Sequence, residues 1–329
     1  MSDNETGTIA AMSGLRPIPR VSRSTFAPSR RFRDGPGGVG GTVLYRDFST
    51  QEELDAQYNL REAVPEFPHY KEFYEEQSRE TRERLECHLD VPYGPTLAEC
   101  LDVFPAGKPE TPILVFFHGG YWHTFGSKDF SFVAEGPVSA GVTTVVTNYA
   151  LCPKVTLEEI VRQSRAAIAW LYENALTFGG DRERIYVSGH SAGGHLTAML
   201  ALTSWETDYG LPVDTVKGGC PISGLFDLRP FPYTYLQPKL QLTWDQILRN
   251  SPILRIPDVA PPLLVTYGDE ETPELRRQSD DFLAAWRSRG LRGEHLPQPG
   301  KDHFSAIDGF LDASSSLCSA ILEQMEVQS

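Results

Sequence analysis

Gly189-His190-Ser191-Ala192-Gly193 sets a serine among glycines, with the apolar run Ile185-Tyr186-Val187 before it and the helix-like Leu196-Thr197-Ala198-Met199-Leu200-Ala201-Leu202 after it. A strand, a sharp turn and a helix in that order hold a serine under strain with its hydroxyl projecting into open space, as a nucleophile requires. The neighbouring glycines lack the Cβ atoms that would collide with the strand before and the helix behind. An ordinary glycine-rich turn has the same five letters. Its position between strand and helix favours the nucleophile.

A second glycine-rich segment lies upstream, where Ile113-Leu114-Val115-Phe116-Phe117 runs into His118-Gly119-Gly120-Tyr121-Trp122. Glycines here let the main chain approach a substrate carbonyl, so that free N–H groups face a developing oxyanion. The N–H of Ala192 is a further donor, aided by the positive end of the helix that it begins. Each such donor contributes about 3 kcal/mol in the transition state. His118, at a strand end and bound into a Gly-Gly turn, reads as a brace for that loop.

The general base is expected near the C-terminus, in Asp302-His303-Phe304, after the strand-like Gly293 to Leu296 and the loop Pro297-Gln298-Pro299-Gly300. A histidine on such a loop can turn its ring toward Ser191. His295 sits inside the strand run, and His190 and His195 flank the serine too closely along the chain for in-line proton transfer. The acid is sought after Leu263-Leu264-Val265-Thr266-Tyr267, where Gly268-Asp269-Glu270-Glu271 carries three carboxylates in a row. One of them can accept the imidazole N–H, fix its tautomer and stabilise its cation. The other two make a solvated turn, and Asp227 is an outlying alternative.

These groups need a scaffold. After Gly94, short β-branched or aromatic runs alternate with helical stretches, which predicts parallel strands joined by crossover helices. The expected strands are Ala98 to Phe104, Ile113 to Phe117, Val142 to Thr147, Ile185 to Ser188, Val216 to Ile222, Leu263 to Tyr267 and Gly293 to Leu296. Leu157, Ile160, Val161, Ser164, Ile168 and Leu171 recur at three- and four-residue steps, so a helix of about 20 residues with one sheet-facing stripe belongs there. Ser49 to about Glu86 is polar and helix-forming, and Pro65 and Pro68 split it into two helices outside the sheet. Leu228 to Ile256 breaks the alternation with prolines and aromatics, as a segment covering a pocket would.

Composition narrows the function class. Of 329 residues 40% are hydrophobic, enough for a large core. Lys plus Arg number 30 against 44 Asp plus Glu, a net charge of −14 that opposes nucleic acid. No apolar run approaches the roughly 20 residues of a membrane span. The start, MSDNETGTIAAMSG, is acidic and lacks an apolar core, unlike a secretory leader. Cys87, Cys100, Cys152, Cys220 and Cys318 are widely spaced with no CxxC pair, and read as reduced packing residues of a cytoplasmic protein. Residues 1–41, rich in Ser, Arg, Pro and Gly, read as a flexible extension before a single domain over 42–329.

HGGYW, GHSAGGH, the GDEETPEL run and DHF together resemble the kynurenine formamidase (arylformamidase) branch of the α/β-hydrolase superfamily, from about Tyr45 to Ile321. Weaker matches are YNLR at Tyr58 to Arg61, NYALCP at Asn148 to Pro153 and SGLFDLRP at Ser223 to Pro230. The resemblance implies an α/β-hydrolase fold: a mostly parallel central sheet flanked by helices, with N-terminal helices and an inserted segment covering the pocket. It implies Ser191 as nucleophile, His303 as base, and Gly120 and Tyr121 as oxyanion donors beside Ala192. The family's acid, usually an Asp three positions after the glycine ending its strand, falls here on Glu271, with Asp269 next. Glu adds a methylene, so the backbone should stand slightly farther from His303.

The chemistry implied is a two-step acyl transfer through an acyl-enzyme, with no metal or organic cofactor. The substrate expected is a small aryl formamide or related amide or ester, its aromatic part against Trp122, Tyr121 or the Leu228 to Ile256 segment, with Trp122 and His190 as the substrate-binding residues. A carboxylesterase or an aryl carbamate or amide hydrolase would use the same machinery, and a non-catalytic binder is the remaining alternative. The expected partners are this small molecule and no nucleic acid or membrane, with a homodimer left open.

Overall fold

Runs of β-branched and aromatic residues without charge become the inner strands, because a sheet covered on both faces demands them. The computed structural model describes residues 43–327, so the expected extension over 1–41 lies outside the described residues. Eight strands form one sheet: β1 (His88–Pro92), β2 (Cys100–Phe104), β3 (Thr111–Phe117), β4 (Thr143–Thr147), β5 (Gly180–His190), β6 (Val216–Ile222), β7 (Leu263–Gly268) and β8 (Gly293–Gln298). Their order is β1-β2-β4-β3-β5-β6-β7-β8. From β4 to β8 neighbours are parallel, whereas β1 with β2 and β2 with β4 are antiparallel. All seven residues of β3 are buried, as its central place requires.

The sheet is mostly parallel, as expected, and two of its strands differ from the individual strand expectations. β2, anticipated as one more parallel strand, runs antiparallel, and β1 was not anticipated at all. His-Leu-Asp-Val-Pro alternates poorly and ends in proline, which an edge strand readily tolerates. Its register breaks between His88 and Val91, and the N–H of Asp90, at φ 55°, is taken by the buried Asp102 carboxylate at 2.9 Å.

The helix Leu157–Asn174 buries every residue of its anticipated stripe and is capped by Thr156, whose hydroxyl accepts from the N–H of Glu159. Ahead of the sheet lie α1 (Gln51–Tyr58), α2 (Leu60–Ala63) and α3 (Phe67–Arg84). Pro68 opens α3, where a missing N–H costs nothing. These helices are tied to the strand ends. Tyr58 Oη donates to Glu274 at 3.1 Å, and Tyr74 Oη donates to the carbonyl of Phe304 at 2.6 Å. Among the described residues no helix is long and apolar enough to cross a membrane.

Candidate active site

Ser191 occupies the turn between β5 and the helix Ala192–Ala201 at φ 58°, ψ −113°. A non-glycine residue there is strained and must be held by its surroundings. Its N–H donates to the carbonyl of Ile222 at 2.8 Å, and its carbonyl accepts from His195 at 3.0 Å. The helix lies so close to β3 that a Cβ on Gly193 would stand 1.8 Å from the carbonyl oxygen of Phe117.

The loop after β3 is strained in the same sense. Gly120 sits at φ 106°, where a Cβ would meet the carbonyl oxygen of Thr124 at 2.3 Å, and Tyr121 and Trp122 follow at φ 47° and 58°. Two anchors hold the run: Tyr121 Oη donates to the carbonyl of Tyr58 at 2.7 Å, and the Trp122 ring packs edge-on to His195 at 4.9 Å. Among the described residues the N–H groups of Gly120 and Tyr121 have no acceptor. That of Ala192, first in its helix, has no intrahelical one.

Glu271 rather than Asp269 reaches the imidazole. His303 Nδ1 lies 2.9 Å from Glu271 Oε2, while Oε1 of the same buried carboxylate accepts from Ser223 Oγ at 2.5 Å and from the N–H of Gly268 at 2.9 Å. A carboxylate only accepts, so Nδ1 donates and Nε2 keeps its lone pair. Asp269 instead accepts from the N–H of Gly300 at 2.7 Å, joining two loops. Asp227 pairs with Arg229 and Tyr45.

The other histidines are occupied. His118 Nδ1 bonds the carbonyl of Gly119 at 2.8 Å, its ring stacks on Tyr149 at 4.1 Å, and burial pushes its pKa down to about 4. His195 Nε2 bonds the carbonyl of Asn250, and burial likewise takes it to about 4. His295 is exposed against Tyr267. His190 Nε2 donates to the carbonyl of His303 at 2.7 Å, and its ring lies 4.5 Å from that of His303. Burial first, then the neighbouring imidazole, hold its pKa well below the ordinary value, so it stays neutral.

Ser191, His303, His190, Gly120 and Tyr121 line one cavity of about 680 Å³ counted out to the solvent at its open mouth. Among the described residues no hydrogen bond joins Ser191 to His303. Trp122 requires a correction: its ring is fully buried against His195 and Phe231 and does not line the cavity. The cover is shared, with Tyr235 coming from the 228–256 segment and Asn59, Leu60, Arg61, Phe67 and Tyr74 from the N-terminal helices. Sequence reasoning gave those five no role, nor Ser223 beside the acid, although YNLR and SGLFDLRP were signals for both regions.

The BD-FAE family model matches residues 101–220. A kynurenine formamidase of Danio rerio is 32% identical over 72% of this chain and 81% of its own length. Esterase LipC of Mycobacterium tuberculosis is 32% identical over 67% of this chain and 60% of its own. A chain from Silicibacter sp. TM1040, solved as a candidate thioesterase, superposes with a TM-score of 0.71 at 29% identity, covering 82% of this chain and 98% of that one.

Proposed function

The chain belongs to the kynurenine formamidase family of α/β-hydrolases, and we propose on that premise that Ser191, His303 and Glu271 are its triad and an aryl formamide its substrate. One observation carries the reading: a buried carboxylate fixes the His303 tautomer with Nε2 free, on the cavity that Ser191 also lines.

In this mechanism His303 Nε2 takes the Ser191 proton as the oxygen attacks the formyl carbon. The N–H groups of Gly120, Tyr121 and Ala192 receive the oxyanion. Collapse expels the aryl amine, which takes the proton back from His303. Water then attacks the formyl-serine with His303 again as base, releasing formate. A cytoplasmic location belongs to the same reading, supported by five unpaired cysteines.

A carboxylesterase is the second reading, favoured by the likeness to esterase LipC. The test is turnover of N-formylkynurenine beside short p-nitrophenyl esters, with a serine-directed phosphonate mapped by mass. Formamide turnover, adduct at Ser191 and loss of both in a folded Ser191→Ala variant are expected. Ester turnover without formamide turnover defeats the formamidase reading, and an adduct elsewhere defeats the nucleophile assignment.

A further inference from the structure

Among the groups lining the cavity, one charged side chain has no task in the chemistry. Ser191, His303 and the loop N–H groups are taken by the chemistry, and Phe67, Phe125, Phe130 and Phe304 are aromatic walls. Arg61, from YNLR on α2, is the sole Lys, Arg, Asp or Glu among the lining residues. Its guanidinium lies over the Phe67 ring at 4.8 Å, and among the described residues it forms no ion pair.

Arg61 is exposed, and what sets it apart is its place as the one charged side chain on the cavity wall. The contact with Phe67 holds the guanidinium beside the cavity, and among the described residues its N–H groups make no hydrogen bond, so the fork can receive a carboxylate through two parallel bonds. The charge nearby is mixed: Arg61 and Lys239 act together at His123, whereas at Tyr235 the charge of Arg61 is opposed by Asp55 and Glu62, and burial is the largest influence on both. Burial raises Tyr235 to about 12, so its hydroxyl keeps its proton.

We propose that Arg61 is a specificity-determining residue that binds a carboxylate on the leaving portion of the substrate, so that anionic aryl formamides or esters are preferred over neutral ones. The assignment rests on the hydrolase reading above. A formyl group bound at Ser191 is too small to reach the mouth, so the carboxylate must hang from the aromatic part.

The experiment uses two substrate pairs, formanilides and phenyl acetates, each bearing on its ring either a propanoate chain or the isosteric propanamide. For wild type, Arg61→Lys and Arg61→Gln the quantity read is the ratio of kcat/KM for the anionic over the neutral member. Arg61→Gln is expected to lower that ratio by about tenfold or more, roughly 1.4 kcal/mol, chiefly through KM. Arg61→Lys, keeping charge but losing the fork, should fall between. Added salt should lower the ratio for wild type and leave it flat for Arg61→Gln. An unchanged ratio in Arg61→Gln overturns the proposal. If only the esters turn over, the formamidase reading fails while the ester pair still judges Arg61. If neither pair turns over, calorimetric binding of the two ring-bearing phenols to wild type and Arg61→Gln gives the same ratio, and equal affinities overturn it.

Discussion

Glu271 illustrates how one side chain's surroundings decide its role. Both its oxygens are engaged, Oε1 by Ser223 and Gly268 and Oε2 by His303, whereas Asp269, two residues earlier, bonds the main chain of Gly300. In Glu271→Gln the amide oxygen would satisfy Ser223 and Gly268 and turn its NH₂ toward Nδ1. Two donors would then meet, and His303 would move its proton to Nε2, the atom that must accept from Ser191. The expected loss in kcat is ~10²–10⁴-fold with KM little changed, as for a comparable acid-to-amide change at a serine triad. Asp269→Asn keeps its acceptor oxygen and should stay near wild type. Steady-state kinetics on both variants decide the matter, and the reverse pattern would assign the acid to Asp269. The Ser, the His and a short list of acids were legible because strand-turn spacing exposes them. The choice of Glu271 among three adjacent carboxylates came from the family resemblance and not from spacing, since the contact that orients its side chain comes from Ser223, 48 positions away in the chain.

At the scale of elements, the N-terminal helices act at a distance from the sheet. α3 places Tyr74 in the cavity wall and sends its hydroxyl to the carbonyl of Phe304, the residue after the proposed base. Tyr74→Phe leaves that carbonyl without its buried donor, which should cost about 1–2 kcal/mol of stability. It should also lower kcat more than it raises KM, because the His303 loop loses a support. Chemical denaturation and kinetics measure the two effects, and a variant equal to wild type in both would show that the helix merely shields the pocket. Strands β3 to β7 were readable because buried parallel strands are continuous apolar runs. β1 was not, since an edge strand needs neither alternation nor apolarity, and the covering role of α1 to α3 was hidden because polar helical sequence does not reveal what its few apolar residues meet. Tyr58, Leu60 and Tyr74 carry that contact, spaced among charged neighbours that mask them.

For the whole molecule, burying three neutral imidazoles links folding to pH. His118 and His195 are taken by burial to about 4, and His190 well below its ordinary value, against 6.5 when exposed. Each folded-state pKa is depressed, so above about pH 6.5 folded and unfolded chains bind the same protons at these sites and nothing is lost. As pH falls below that value the unfolded chain takes up protons that the folded one refuses, and stability drops until the folded pKa is reached. At pH 5 the loss is roughly 2 kcal/mol for each of His118 and His195. Asp308 opposes this, because burial raises its carboxyl to about 6 and the folded chain binds its proton more readily as acid is added. It recovers only on the order of 1 kcal/mol between pH 7 and 5. Asp129, also raised by burial, acts in its direction and His123, lowered by burial, in the opposite one, so the buried imidazoles leave a net loss. Urea midpoints at pH 7, 6 and 5 should therefore decline steadily. His195→Gln, which keeps a donor for the Asn250 carbonyl, should start less stable at pH 7 and decline more gently by the share of one imidazole. A wild-type midpoint flat across this range, or a variant declining as steeply as wild type, would mean that His195 takes up its proton inside the fold as readily as it does in the unfolded chain.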